Sequence, residues 1–212
     1  MFEDAIMGHG GNRFSPEAFT AHRAAHVGQM RAQIALFEPS GLTDAEREDL
    51  LLMREEEKIA RDVYVSLYKR WGVRPFANIS GSEQAHMDMI LALLEHYDLP
   101  DPAHDLKPGE FHDPSLQKLH DDLVEKGLRS LEDSIKVGLL VEELDIADLQ
   151  KAQTRTVRPE NRAVYAELER GSRNHLRAFH RWKLRLGIDY RAVHLPQAEL
   201  ERIAASAHES CS

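Results

Sequence analysis

A chain of 212 residues is long enough to bury a full core and need form no more than one domain with an arm; with 30% charged and 42% hydrophobic side chains it has an ordinary globular balance. A formal net charge of -9, with no clustering of Lys and Arg, argues against nucleic acid as a partner, because phosphate binding needs a basic footprint. No run approaches membrane-span length, and the first residues lack a basic n-region and an apolar h-region, so the chain is expected to stay in the cytoplasm.

Residues 1–14 hold His9 and three glycines without periodicity and read as a mobile leader. From Ser15 or Pro16 to Phe37 the pattern predicts an amphipathic helix with Phe19, His22, His26, Met30 and Ile34 near one face, packing as an arm. Residues 1–42 are thus set apart as leader and arm, 43–190 as the main bundle, and 191–212 as a tail.

Pro39, Ser40 and Gly41 break the chain, and Thr43 with Glu46 predicts a capping box at the start of a long helix ending before Gly72. Glu57 falls in its register with Met53, Ala60 and Tyr64; Glu56 aligns instead with Leu52, Ile59 and Val63. An inward carboxylate in such a stretch implies a partner, because burying it alone costs several kcal/mol. The stretch WGVRPFAN reads as a non-helical connection, and the next helix is expected over 78–99. On it Glu83 and His86, spaced i, i+3, share the face of Ile79 and Ile90, the E-x-x-H arrangement that offers a metal an oxygen and a nitrogen. A competing reading makes Ser80 the N-cap and Glu83 its capping-box partner.

His104 and His112 lie in a loop and are expected at the surface. Asp113 and Pro114 start a short helix ending at Gly127, and Ser130 with Asp133 starts a long one to about Gln153. There Glu142 interrupts a stripe of Leu131, Ile135, Leu139, Ile146 and Leu149, flanked by Glu143 and Asp145. Pro159 opens the last long helix, where His175 interrupts the stripe of Val164, Leu168, Phe179 and Trp182. A short helix near 197–207 comes next, and Cys211 near the end is alone and not expected to react.

Four long helices with one polar interruption each, joined by short, long and short connections, predict an all-α fold: a ferritin-like four-helix bundle of two antiparallel hairpins with one long crossover, plus the N-terminal helical arm. Registry is the weak point of this arrangement. Glu57 would lie roughly 21 Å from its helix end and Glu83 only about 5 Å into the next, so the two would meet only if VRPFAN runs extended, and a tight turn would move Glu57 off the site.

The blocks MREEEKIARDVYVSLYKRWG, NISGSEQAHMD, GLLVEELDIADL and RGSRNHLRAF, over roughly residues 45 to 190, resemble the ferritin-like family known as domain of unknown function 2202. The resemblance implies a four-helix fold of the di-iron carboxylate superfamily. By similarity to ferritins, the Glu57 to Tyr64 spacing favours Glu57 over Glu56 as the first-helix ligand; Glu83 and His86 match the second-helix pair, and Glu142 or Glu143 the third-helix carboxylate. The chain departs from the superfamily pattern at Ser172, where a Glu would stand three residues before His175. Glu143, Asp145 or Glu169 could supply the missing oxygen, or water, or only one ion binds well.

The expected function is a non-haem di-metal carboxylate protein holding two iron ions, with Mn or Zn as substitutes, acting on dioxygen or peroxide as a ferroxidase or peroxide-reducing oxidoreductase. Tyr64 is the expected catalytic side chain, gating or quenching oxidising intermediates, and a homo-oligomer is left open. The competing class is a metal-free interaction or stress-associated bundle in which these Glu and His side chains satisfy one another.

Overall fold

The computed structural model describes residues 16–210; the leader with His9, and Cys211, lie outside them. Among the described residues there are seven helices and no strands: α1 (Pro16–Ile34), α2 (Asp44–Trp71), α3 (Arg74–His96), α4 (Pro114–Arg129), α5 (Leu131–Arg155), α6 (Pro159–Leu186) and α7 (Gln197–Ala205). None is long and apolar enough to cross a membrane.

The long helices α2, α3, α5 and α6 enclose the interior, with α2 against α3 and α5, and α6 against α3 and α5. α4 lies on α2 and α5, α7 on α6, and α1 across α3 and α6. Buried Val27, Met30 and Ile34 seat α1, which ends short of Phe37, the limit that the sequence pattern predicts.

The capping box of Thr43 and Glu46 forms as predicted, and Glu46 does more than cap: its Oε1 accepts a hydrogen bond from Thr156 Oγ1 at 2.7 Å. Thr156 stands between α5 and α6, so one carboxylate fixes the start of α2 to the α5–α6 turn.

The connection from α2 to α3 differs from the extended one expected. Gly72 adopts the left-handed conformation (φ 65) that closes α2, its N–H donating to Tyr68 O at 2.8 Å, and α3 begins at Arg74. Pro75 sits in the first turn, where a missing N–H costs nothing, so the Arg-Pro pair starts a helix instead of extending the chain. The early start also restores the registry. Glu57 lies about 21 Å back from the turn and His86 about 18 Å beyond it, so a tight turn brings them level. It removes the capping-box reading of Glu83 as well: Ser80 is inside the helix, its Oγ donating to Ala77 O at 3.1 Å.

The crossover segment between α3 and α4 is fastened to α2 by charges that the apolar stripes do not single out. Lys58, almost fully buried, donates to Asp62 Oδ2 at 2.7 Å and to the carbonyls of Lys107 and Glu110 at 2.9 and 3.0 Å, while Gly109 N–H donates to the same Asp62 oxygen at 2.9 Å. One turn earlier Arg54 makes a bidentate pair with Asp101 at 2.9 and 2.8 Å. His104 and His112 are exposed on this segment. Removing the cation would take one of the two charged partners from buried Asp62, leaving Arg61 on its other oxygen at 2.8 Å, and would strip two carbonyls of their donor, so Lys58→Ala is expected to cost about 3 kcal/mol in urea denaturation, against less than about 1 kcal/mol for the exposed Lys118→Ala.

Candidate metal centre

Each helix brings its polar interruption to the same level of the interior. Ligand-type atoms of Glu57, Glu83 and His86 lie within 4.8 Å of one another, and so do those of Glu83, Glu142 and His175; all are buried. Glu83 belongs to both groups. Its Oε2 lies 2.8 Å from His86 Nδ1 and its Oε1 3.0 Å from His175 Nδ1. Glu57 Oε2 completes one group at 3.1 Å from His86 Nδ1, and Glu142 Oε2 the other at 3.3 Å from His175 Nδ1. The two imidazoles stack with centroids 5.6 Å apart.

Short distances here are not matched by hydrogen bonds. Only His86 with Glu57 has hydrogen-bonding geometry; both oxygens of Glu83, Oε2 of Glu142 and Nδ1 of His175 are buried without a hydrogen-bond partner. Apart from the His86–Glu57 pair, the atoms crowd together without aiming along one another's N–H directions. Cis ligands about 2.1 Å from a shared ion stand about 3 Å apart, close to the separations found, and orphaned buried polar atoms otherwise carry a full desolvation penalty. The residues fit one or two divalent ions held by mixed oxygen and nitrogen ligands.

Tyr64, fully buried, donates to Glu142 Oε1 at 2.5 Å and packs its ring against Phe76 and Phe179 at 5.9 and 5.3 Å. On α6, Gly171 is required by a close approach: a Cβ there would lie 2.5 Å from His86 Nε2. The neighbouring Ser172 turns its hydroxyl back to Leu168 O at 3.1 Å, away from the role of the missing glutamate.

Several acidic candidates are not brought into either group. Glu143 points the other way, its Oε2 accepting the backbone N–H groups of Val193, His194 and Leu195 at 2.8, 3.0 and 3.2 Å. It holds the segment before α7, a use visible only once that segment folds back. Glu169 accepts from Gln150 and Gln153 at 3.2 and 2.8 Å and pairs with Arg173 at 2.7 Å. Glu56 faces Asp148, and burial first, then Asp148 and Glu57, push its carboxyl well up. Asp145 is closest in character to the centre: burial, then Glu57, Glu142 and Glu83, raise its carboxyl well above the usual range, and Oδ2 has no partner, yet it joins neither group.

Burial pushes Glu57 and Glu142 up to about 7 in spite of the imidazole beside each. Burial also opposes ionisation of Glu83, but His175 and His86 outweigh it and hold that carboxyl far below the usual range. Burial would lower both imidazoles; the facing carboxylates instead raise His86 well up and His175 to about 9.

A family described as an uncharacterized protein domain (DUF2202) matches residues 46–207. The chain is 45% identical over 168 residues to the uncharacterized protein MJ0754 of Methanocaldococcus jannaschii, covering 79% of this chain and 91% of that one. The crystal structure of hypothetical protein MJ0754 from Methanococcus jannaschii superposes with a TM-score of 0.78 at 44% identity, covering 80% of this chain and 97% of the other. Neither description names an activity.

The titration shifts give chelator-treated protein a defined pH response. The raised Glu57 and Glu142 carboxyls contribute stability that is present below the ordinary 4.5 and lost as pH rises through about 7. The raised His175 contributes below its ordinary 6.5, and that contribution is lost through about 9; the lowered Glu83 contributes above 4.5 and is lost in acid. Urea midpoints measured at roughly pH 5, 7 and 9 are expected to fall in that order, and a midpoint that rises with pH would contradict the assignment.

Proposed function

We propose that this chain, which belongs to the DUF2202 family of uncharacterized protein domains, is a non-haem di-metal carboxylate protein, its helices α2, α3, α5 and α6 forming a ferritin-like bundle around two iron ions that react with dioxygen or peroxide. The observation that carries this reading is Glu83, a single buried carboxylate whose two oxygens meet two different imidazoles, as a ligand shared between two ions must. Glu57 and His86 would hold one ion with Glu83, and Glu142 and His175 the other. Carboxylate and imidazole ligands suit iron, manganese or zinc and not a soft-ligand copper site. Bound iron would supply one-electron chemistry towards the oxidant.

The remaining roles belong to the chain itself. Tyr64 fixes the rotamer of Glu142 by donating to its outer oxygen and, with Phe76 and Phe179, supplies an apolar wall beside that position. Its phenol is the oxidisable side chain bonded to a ligand, which supports a gating or quenching role. Gly171 leaves space for the His86 ring. Loading the centre requires His86, His175, Glu57 and Glu142 to give up protons, so uptake is expected to strengthen as pH rises from about 6 to 8 and to release protons.

Elemental analysis of protein purified without chelator tests the reading. The expected result is close to two equivalents of metal, mainly iron, falling by more than half in Glu83→Gln with the helix content kept. Less than about 0.2 equivalents, with no thermal stabilisation by added Fe(II), Mn(II) or Zn(II), would instead support a metal-free bundle. Gly171→Ala, which forces the His86 ring to move, is expected to weaken metal retention about tenfold.

A further inference from the structure

Beneath α1, between α3 and α6, lies a cavity of about 390 Å³ that begins at exposed Phe19, His22 and Arg181 and ends at the buried side chains of His86 and His175. It is far larger than dioxygen or peroxide needs and falls in the size range of sites for small organic molecules. The absence of a Cβ at Gly171 brings the outer edge of the His86 ring against α6 at this point, so the cavity adjoins the side of the imidazole turned away from the carboxylates.

Two features of the wall define what fits. The body of the cavity is apolar, formed by Phe19, Ile79, Ala85, Met89 and Ala178. Its charged residues are Arg23, Arg170 and Arg181 against Glu167 alone; Arg170 is spent on both oxygens of Glu167 and on Glu209 O, so Arg23 and Arg181 carry the charge of the opening. Glu167 is already engaged, by His26 at 2.7 Å and Arg170 at 2.9 Å. A chain of net charge -9 thus presents a positive opening directly over its most acidic interior. Arg23, held to Asn78 O at 2.8 Å, and His22 and His26 come from α1, which precedes the family domain.

We infer that this cavity binds a small organic anion with an apolar body, a monocarboxylate, its head met by Arg23 and Arg181 at the opening and its chain directed over Ile79, Ala85 and Met89 towards His86 and His175. As a binding site this stands alone; as the substrate site of the centre it rests on the di-metal reading. The same charges repel a divalent cation entering by this route, so the favoured substrate class is the organic acid and not ferrous ion.

Isothermal titration calorimetry of the full chain with octanoate, octanol and octylamine, before and after chelation, tests it. Octanoate is expected to bind about tenfold more tightly than octanol, with octylamine weaker still, and the Arg23→Gln, Arg181→Glu double variant is expected to lose about tenfold in octanoate affinity while keeping its helix content and metal content. Retention of this order after chelation supports the cavity, and does so even if no metal is found at the centre. Equal binding of the three probes, no octanoate binding, or octanoate binding that disappears with the metal and ignores the double variant would overturn it.

Discussion

One carboxylate constrains the rest of the interior. Glu83 has no exposed surface, and its desolvation would disfavour the ionised form by several kcal/mol if nothing faced it. His86 from its own helix and His175 from α6 face it from two sides, and together they keep it ionised. The burden then passes outward to Glu57 and Glu142, which share the same imidazoles and are driven up towards neutrality. Sliding α2, α5 or α6 by one turn would strand at least one of these groups in apolar surroundings. The heights of four helices are therefore fixed together by one electrostatic problem.

Three other buried charges show what a solved problem looks like. Lys58 is as deeply buried as the central residues, and its donors reach a carboxylate and two carbonyls. Glu143 accepts three consecutive backbone N–H groups. Arg177, also buried, donates to Ile203 O, Ser206 and Asn174 and pairs with Glu209, fastening α7 and the residues after it to α6. In each case a charge on a long helix captures the backbone or side chains of a connecting segment. At the centre, oxygens of Glu83 and Glu142 and Nδ1 of His175 approach to about 3 Å and still miss hydrogen-bond geometry. Set beside these three satisfied charges, that convergence of orphaned ligand atoms gives the metal reading its physical content.

The centre also divides the molecule into unlike sides. Towards α4 and α7, aromatic rings of Tyr64, Phe76 and Phe179 pack on one another within a continuous apolar cluster. Towards α1, the way in is wider and carries the positive side chains. α1 has little amphipathic character of its own; buried Val27, Met30 and Ile34, the contact of His26 with Glu167, Arg23 donating to Asn78 O and Arg31 paired with Glu95 seat it. The same arm thus closes part of the core cluster with Val27, Met30 and Ile34 and supplies Arg23 to the opening.

Much of this was legible in the residues. The 3.6-residue stripes marked out the four long helices, though with α3 starting four residues too late, and the interruptions at Glu83, His86, Glu142 and His175 stood out because a polar side chain in an apolar face is costly. Local periodicity could not separate Glu56 from Glu57, because adjacent positions both border the buried face; contact with α3 or with Asp148 of α5 separates them. Nor could it give Glu143, Lys58 or Arg177 their uses, which depend on segments more than twenty residues away folding back onto them. Even the turn at Gly72 was ambiguous, because proline both discourages a preceding helix and suits the first turn of the next. The sequence by itself determined the helices and which side chains must face inward. Tertiary packing alone decided at what height they meet and which neighbour neutralises each, because both depend on distances that no single helix contains.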